Sequence, residues 1–177
     1  MERVSTRPRH RWSLLGFVLT LSLLLGACSV VVEPDRGTSG DVRFDEVITQ
    51  FAPTRGTGSD YFVGEDVYFR FRANRDGYLT LVSIDPDRRA NVLVRNAFVR
   101  GGETYTVPNR NGAVTFTLTP PRGQQEVRAI YTSQPTDASV VYRRNERFNS
   151  YDEIIVSDIQ TSQSSVRDVV RTFFFIR

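Results

Sequence analysis

The chain has one cysteine, Cys28, one histidine, His10, and no lysine among its 177 residues. A single cysteine excludes an intramolecular disulfide, so any folded domain here rests on its apolar core. That is sufficient for about 150 residues, which bury roughly 70% of their unfolded surface. Long hydrophobic runs are also missing. The longest uncharged apolar stretch, Trp12 to Leu25, is shorter than the about twenty residues that a resident transmembrane helix needs.

The N-terminal stretch accounts for both rare residues. Arg3, Arg7, Arg9 and Arg11 stand against one acid, Glu2, and the apolar run follows at once. A basic head, a short apolar core and small residues after it form the pattern of a secretory signal. Leu25-Gly26-Ala27-Cys28 resembles the lipobox of bacterial lipoproteins, where a diacylglycerol is placed on the thiol and signal peptidase II cuts ahead of it. The resemblance implies lipidation at Cys28 and attachment to a membrane through the lipid anchor. Each buried methylene contributes about 0.8 kcal/mol, so two or more chains hold stably. The expected organisation is a lipoprotein signal peptide at 1–27, a lipidated tether at 28–40 and a folded domain at 41–177. The tether (SVVVEPDRGTSG after the cysteine) is rich in turn residues and charge, although Val30 to Val32 also suit the start of a strand. Ser29, rather than an aspartate, follows the cysteine. That fits a cell-envelope lipoprotein sorted to the outer membrane if its host has one.

Processing changes what the composition excludes. Removing 1–27 takes His10 away, and Cys28 is committed to lipid. No His or Cys is then left for Ser-His-Asp or Cys-His catalysis, or for the usual zinc and copper ligand sets. Neither a metal nor a cofactor is expected. The net charge of +3 and isoelectric point of 9.3 also mislead, because the signal carries four arginines and one acid. The remainder holds arginines and acids in equal number, and a nucleic-acid partner is not expected.

From Asp41 onward, short alternating runs are separated by turn residues, the pattern of an all-β sandwich or barrel. Val67, Phe69, Phe71 and Ala73 share one strand face, and Tyr68, Arg70, Arg72 and Asn74 share the other. Tyr78 to Ile84 is apolar on both faces, as a central strand would be. Val92 to Val94 and Thr104 to Val107 read as short strands. Val114, Phe116 and Leu118 alternate with Thr115, Thr117 and Thr119, the cleanest alternation in the chain, and Val127, Ala129 and Tyr131 alternate beyond it. Val169 to Ile176 reads as a closing strand paired into a sheet, with Phe173 to Phe175 in or near the core. Near 150–162 two readings stay open. Ser150 and Glu153 have capping-box spacing with Tyr151, Ile155 and Ile159 on one helical face, while β-branched Ile154-Ile155-Val156 suits a strand.

Several pieces belong together: Gly64-Glu65-Asp66-Val67, Asn74-Arg75-Asp76-Gly77-Tyr78-Leu79, Gly102-Glu103-Thr104-Tyr105 with Val107-Pro108, and Arg128-Ala129-Ile130-Tyr131-Thr132. Their order and spacing resemble a bacterial domain family of unknown function, found on envelope lipoproteins and fused to Ser/Thr kinases or caspase-like peptidases. One departure is Leu93-Val94-Arg95-Asn96, where the family tends to have Leu-Phe-Pro-Asn. The resemblance implies an immunoglobulin-like antiparallel β-sandwich and transfers no catalytic residue.

The functional expectation is therefore a non-catalytic binding or structural module of the envelope, not an enzyme. Its candidate contact face is Tyr68, Arg70 and Arg72, residue types that dominate interface hot spots; an envelope protein or polymer is the expected partner. Two alternatives remain. One is an envelope enzyme using carboxylates alone, for which Asp76, Asp85 and Asp87 are the nearest grouping; the same aspartates could hold calcium or simply bond their own turns. The other is a carrier of a small apolar ligand, which calls for a large apolar cavity.

Overall fold

Alternating burial builds the strands of both sheets. In a computed structural model that describes residues 44–136 and 163–177, β3 (Phe69–Ala73) buries Phe69, Phe71 and Ala73 completely and exposes Arg70 and Arg72. This is the period of two that an extended chain imposes on a half-buried sheet. The lipobox Leu25-Gly26-Ala27-Cys28, the tether 28–40 and the segment 150–162 lie outside the described residues.

The other strands are β1 (Ile48–Pro53), β2 (Asp60–Tyr61), β4 (Gly77–Ile84), β5 (Ala90–Val99), β6 (Thr104–Val107), β7 (Gly123–Thr132) and β8 (Arg167–Ile176). They form a three-stranded sheet, β1-β3-β6, and a five-stranded sheet, β2-β8-β7-β4-β5. Neighbours run antiparallel, except that two-residue β2 lies parallel to the end of β8. Among the described residues there is no helix, and so none long and apolar enough to cross a membrane.

The sheets pack face to face as a β-sandwich. Phe51, Phe69 and Phe71 from the small sheet meet Leu79, Leu81, Val127, Ala129, Val170 and Phe174 from the large one. The Phe69 and Phe174 rings come within 6.2 Å across the interface. As expected, β4 is central, between β7 and β5, and β8 is paired along its whole length with β7. Of the terminal phenylalanines, Phe174 is core, whereas Phe173 and Phe175 point to the other face and are half-buried. Val82, Ile84, Ala90, Ile130 and Val169 form a second apolar cluster on that outer face of the large sheet.

Two strand expectations differ from the structure. β5 runs over ten residues instead of Val92–Val94, because register shifts opposite Leu81 and a positive φ at Asn96 (47°) disrupt its alternation. The run at 114–119 forms no strand: it makes one isolated bridge, Asp66 to Thr117. Its alternation is right over part of its length only. Leu118 is buried and Phe116 half-buried, but Val114 is 61% exposed, beyond the edge of the core.

Candidate contact face and cleft

Tyr68, Arg70 and Arg72 lie on or beside β3, the middle strand of the small sheet, and face away from the core. Across the sheet, Arg70 is flanked by Ala52 and Thr106, and Arg72 by Gln50 and Thr104. None of these neighbours is acidic, and among the described residues no ion pair involves either arginine. Sequence reading missed a fourth member. Arg110 stacks its guanidinium 4.6 Å from the centre of the half-buried Tyr68 ring. The turn that carries it is fixed locally, with Asn109 Oδ1 accepting from the Asn111 N–H (3.0 Å) and the Asn109 carbonyl from the Gly112 N–H (2.9 Å). The structure thus brings all three expected residues onto one surface and adds a cation to it.

Of the sequence pieces that carried the family resemblance, Asn74 to Leu79, Gly102 to Tyr105 and the end of Arg128 to Thr132 meet at one end of the sandwich, whereas Gly64 to Val67 lies at the other. Asp76 Oδ1 accepts from the Gly101 N–H at 2.8 Å, and the Ala73 carbonyl accepts from the Gly102 N–H at 2.8 Å. A Cβ on Gly101 would lie 2.8 Å from the Arg75 backbone, so the two turns touch main chain to main chain, which only glycine allows. Tyr131, buried in the core, donates its hydroxyl to the Asp76 carbonyl at 2.6 Å, and burial pushes its phenol pKa up. Its ring fills the space where a side chain on Gly77 would begin, 2.5 Å from that Cβ. Tyr105 accepts from the Arg100 N–H (2.8 Å) and donates to Glu103 (2.7 Å). These motif residues hold turns and strand ends together.

At the same end, Asp168 is wholly buried, and one carboxylate oxygen accepts from the N–H groups of Val47 (2.9 Å) and Ile48 (2.7 Å). That ties β8 of one sheet to the start of β1 in the other. No local spacing in the sequence signals this contact, which joins residues 121 and 120 positions apart.

The opposite end of the sandwich is open. A cleft of about 310 Å³ enters between the sheets where β4 ends and β5 begins. Phe69, Leu93, Val127 and Phe174 make its apolar floor, the 115–120 segment makes one wall, and Ser83, Asp85, Asn91 and Gln125 line it with polar groups. Asp85 accepts from the side-chain amides of Gln125 and of Asn91 (3.3 Å). The neighbouring Asp87 pairs with Arg89 at 3.2 Å. Asp76 is not part of this group. It precedes β4 and Asp85 follows it, so they are separated by the length of an eight-residue strand, roughly 25–30 Å. The grouping of the three aspartates therefore fails, and among the described residues no three potential metal ligands cluster.

Glu65 and Arg55 close a third arrangement nearby. The guanidinium makes a two-pronged contact (2.9 and 3.0 Å), and the Phe62 N–H donates to the same carboxylate at 2.7 Å. The Arg55 hydrogen bond, helped by that N–H, lowers the Glu65 pKa to about 2.

Residues 60–135 match the model of a family described only as a domain of unknown function (DUF4384). This encloses the stretch from Gly64 to Thr132 that carried the resemblance, and it reaches from β2 through β7. Strands β1 and β8 fall outside the matched segment, yet β8 supplies the neighbour of both β2 and β7. Searches of the curated proteins and of the solved structures returned no match.

Proposed function

We propose that this protein is a lipoprotein of the bacterial cell envelope, anchored through lipid on Cys28, whose β-sandwich acts by contact rather than by catalysis. The observation that carries the reading is the outer face of the small sheet. Arg70 and Arg72 stand exposed between neutral neighbours, and Arg110 is stacked on Tyr68 beside them. A cationic, aromatic-backed surface of this kind suits a partner bearing carboxylates or phosphates, an envelope protein or polymer. A tether that concentrates the domain at a membrane raises the effective concentration of such a partner. The Ser29 position favours the outer membrane in a host that has one.

A carboxylate-only enzyme has less support, since Asp76 and Asp85 sit at opposite ends of β4 and do not share a cleft. The test combines two measurements on native protein. Mass spectrometry of the N-terminal peptide should find an acylated Cys28; a free thiol there, or a retained Trp12–Leu25 segment, rejects the anchor. Replacing Tyr68, Arg70 and Arg72 together with serine should leave the sandwich folded and release the partner that co-purifies after gentle detergent extraction. Undiminished recovery with the folded triple variant rejects the contact face.

A further inference from the structure

We infer that the cleft between the sheets is a binding site for a small organic cation, an ammonium carried on a short apolar body. The argument begins with charge. Asp85 lines the cleft and is held by two amide donors, Gln125 and Asn91, which position a carboxylate without neutralising it. Among the described residues no ion pair joins an arginine to Asp85, and Arg89, four residues on, pairs with Asp87. An ionised carboxylate offers about four acceptor positions, and the two amides occupy two of them. The remaining positions and the whole negative charge are available to a ligand.

The rest of the lining fixes the ligand's other half. Phe69, Leu93, Val127 and Phe174 give the cleft an apolar floor, so an inorganic cation would leave most of the site unfilled. At about 310 Å³ the cleft is at the lower limit of small-molecule sites, which limits the occupant to one ring or a short chain. An anion would meet the Asp85 charge unfavourably, and a neutral molecule would leave it uncompensated. The wall from Thr115 to Pro120 is bonded to the body through Gly64, Glu65 and Val67 main-chain groups, so the opening is part of the folded structure. This site is separate from the arginine face on β3 and does not depend on it.

Benzylammonium is a suitable probe, with benzyl alcohol and benzoate as its neutral and anionic counterparts. The full chain, purified in nanodiscs, is titrated while the side-chain amide signals of Gln125 and Asn91 are followed by NMR. Benzylammonium should shift both signals saturably and bind at least tenfold more tightly than benzyl alcohol, with benzoate weakest. Asp85→Asn should abolish the tenfold preference and leave benzyl alcohol binding unchanged, and Asp87→Asn should change neither. If Asp85→Asn does not fold, the native protein provides the second reading, since a preference that rests on charge must weaken as salt is raised, while benzyl alcohol binding does not. The inference is overturned by a lack of saturable shifts, by equal affinities for ammonium and alcohol, by a preference that survives Asp85→Asn, or by one that salt leaves unchanged.

Discussion

The two ends of the sandwich are built from similar residues and reach opposite results. At the end formed by the β3–β4 and β5–β6 turns, Gly77 and Gly101 remove the side chains that would keep the chain segments apart. Asp76, Tyr131 and Asp168 then fill the gaps with hydrogen bonds to main chain. At the other end, the 115–120 segment crosses the mouth with a single bridge and leaves a cleft with a charged group in its wall. Glycine, aspartate and aromatic residues occur at both ends, so composition does not separate them. Close approach does: at the locked end a Cβ on Gly77 or Gly101 would lie within 3 Å of the Tyr131 ring or the Arg75 backbone, whereas a Cβ on Gly58, Gly64 or Gly123 towards the other end would meet nothing that close.

The largest effect should separate the closed core from the cleft wall. Phe71 is fully buried, so Phe71→Ala should cost about 3–5 kcal/mol in denaturant unfolding. Phe116, half-buried on the cleft wall, loses only part of the burial energy of a phenylalanine, and Phe116→Ala should cost about 1 kcal/mol. Equal losses would mean that the wall is as tightly built as the core, and the contrast between the ends would collapse.

Next in size is the glycine contrast. Gly77→Ala drives a methyl into the Tyr131 ring, whose hydroxyl bond to Asp76 limits its retreat, and should destabilise by about 3 kcal/mol. Gly64 has a positive φ (92°) but empty space around it, so Gly64→Ala should cost only the backbone term, about 1–2 kcal/mol. The reverse order in chemical denaturation would locate the rigid end wrongly. Hydrogen exchange offers a gentler version of the same comparison. The Gly101 and Gly102 N–H groups, bonded into the locked turns, should exchange more slowly than those of 113–115 beside the cleft, which make no main-chain bond among the described residues.

The sequence announced β3, β4, β7 and β8 because each alternates or runs apolar against a face that the fold does bury. It hid β1, whose alternation is broken by a register shift between Ile48 and Gln50, and most of β5, disrupted in the same way near Asn96. The 115–119 alternation misled because period two shows only which residues could share a face; a strand also needs a partner along its length. For the contact face, the choice of Tyr68, Arg70 and Arg72 needed only the pleat of one strand. Arg110 arrives from a separate turn, and the Asp85–Gln125 contact spans 40 residues. Convergence of that kind exists only after the sheets have packed, so no spacing rule could have found it.

The smallest effect concerns pH and the open end alone. Glu65, clamped by Arg55 and the Phe62 N–H, has its pKa lowered from 4.5 to about 2. A carboxylate held below its unfolded value adds stability above that value and loses it as pH falls through the folded one. The contribution of this pair is therefore complete above about pH 4.5 and declines towards pH 2. Both partners are partly exposed, at 48% for Arg55 and 34% for Glu65, so solvent screens them and the effect on global unfolding should be slight. The local readout is sharper. A carbon-detected NMR titration of the Glu65 carboxyl should have its midpoint near 2, and Arg55→Gln should return it most of the way to the ordinary range, with the Phe62 N–H holding back the remainder. In that variant the segment around Phe62 to Gly64, next to the cleft wall through the Leu118 carbonyl, should exchange its amides faster, while Gly101 and Gly102 keep their protection. Loss of protection at both ends together would mean that the sandwich opens as one unit and that its two ends are not independently built.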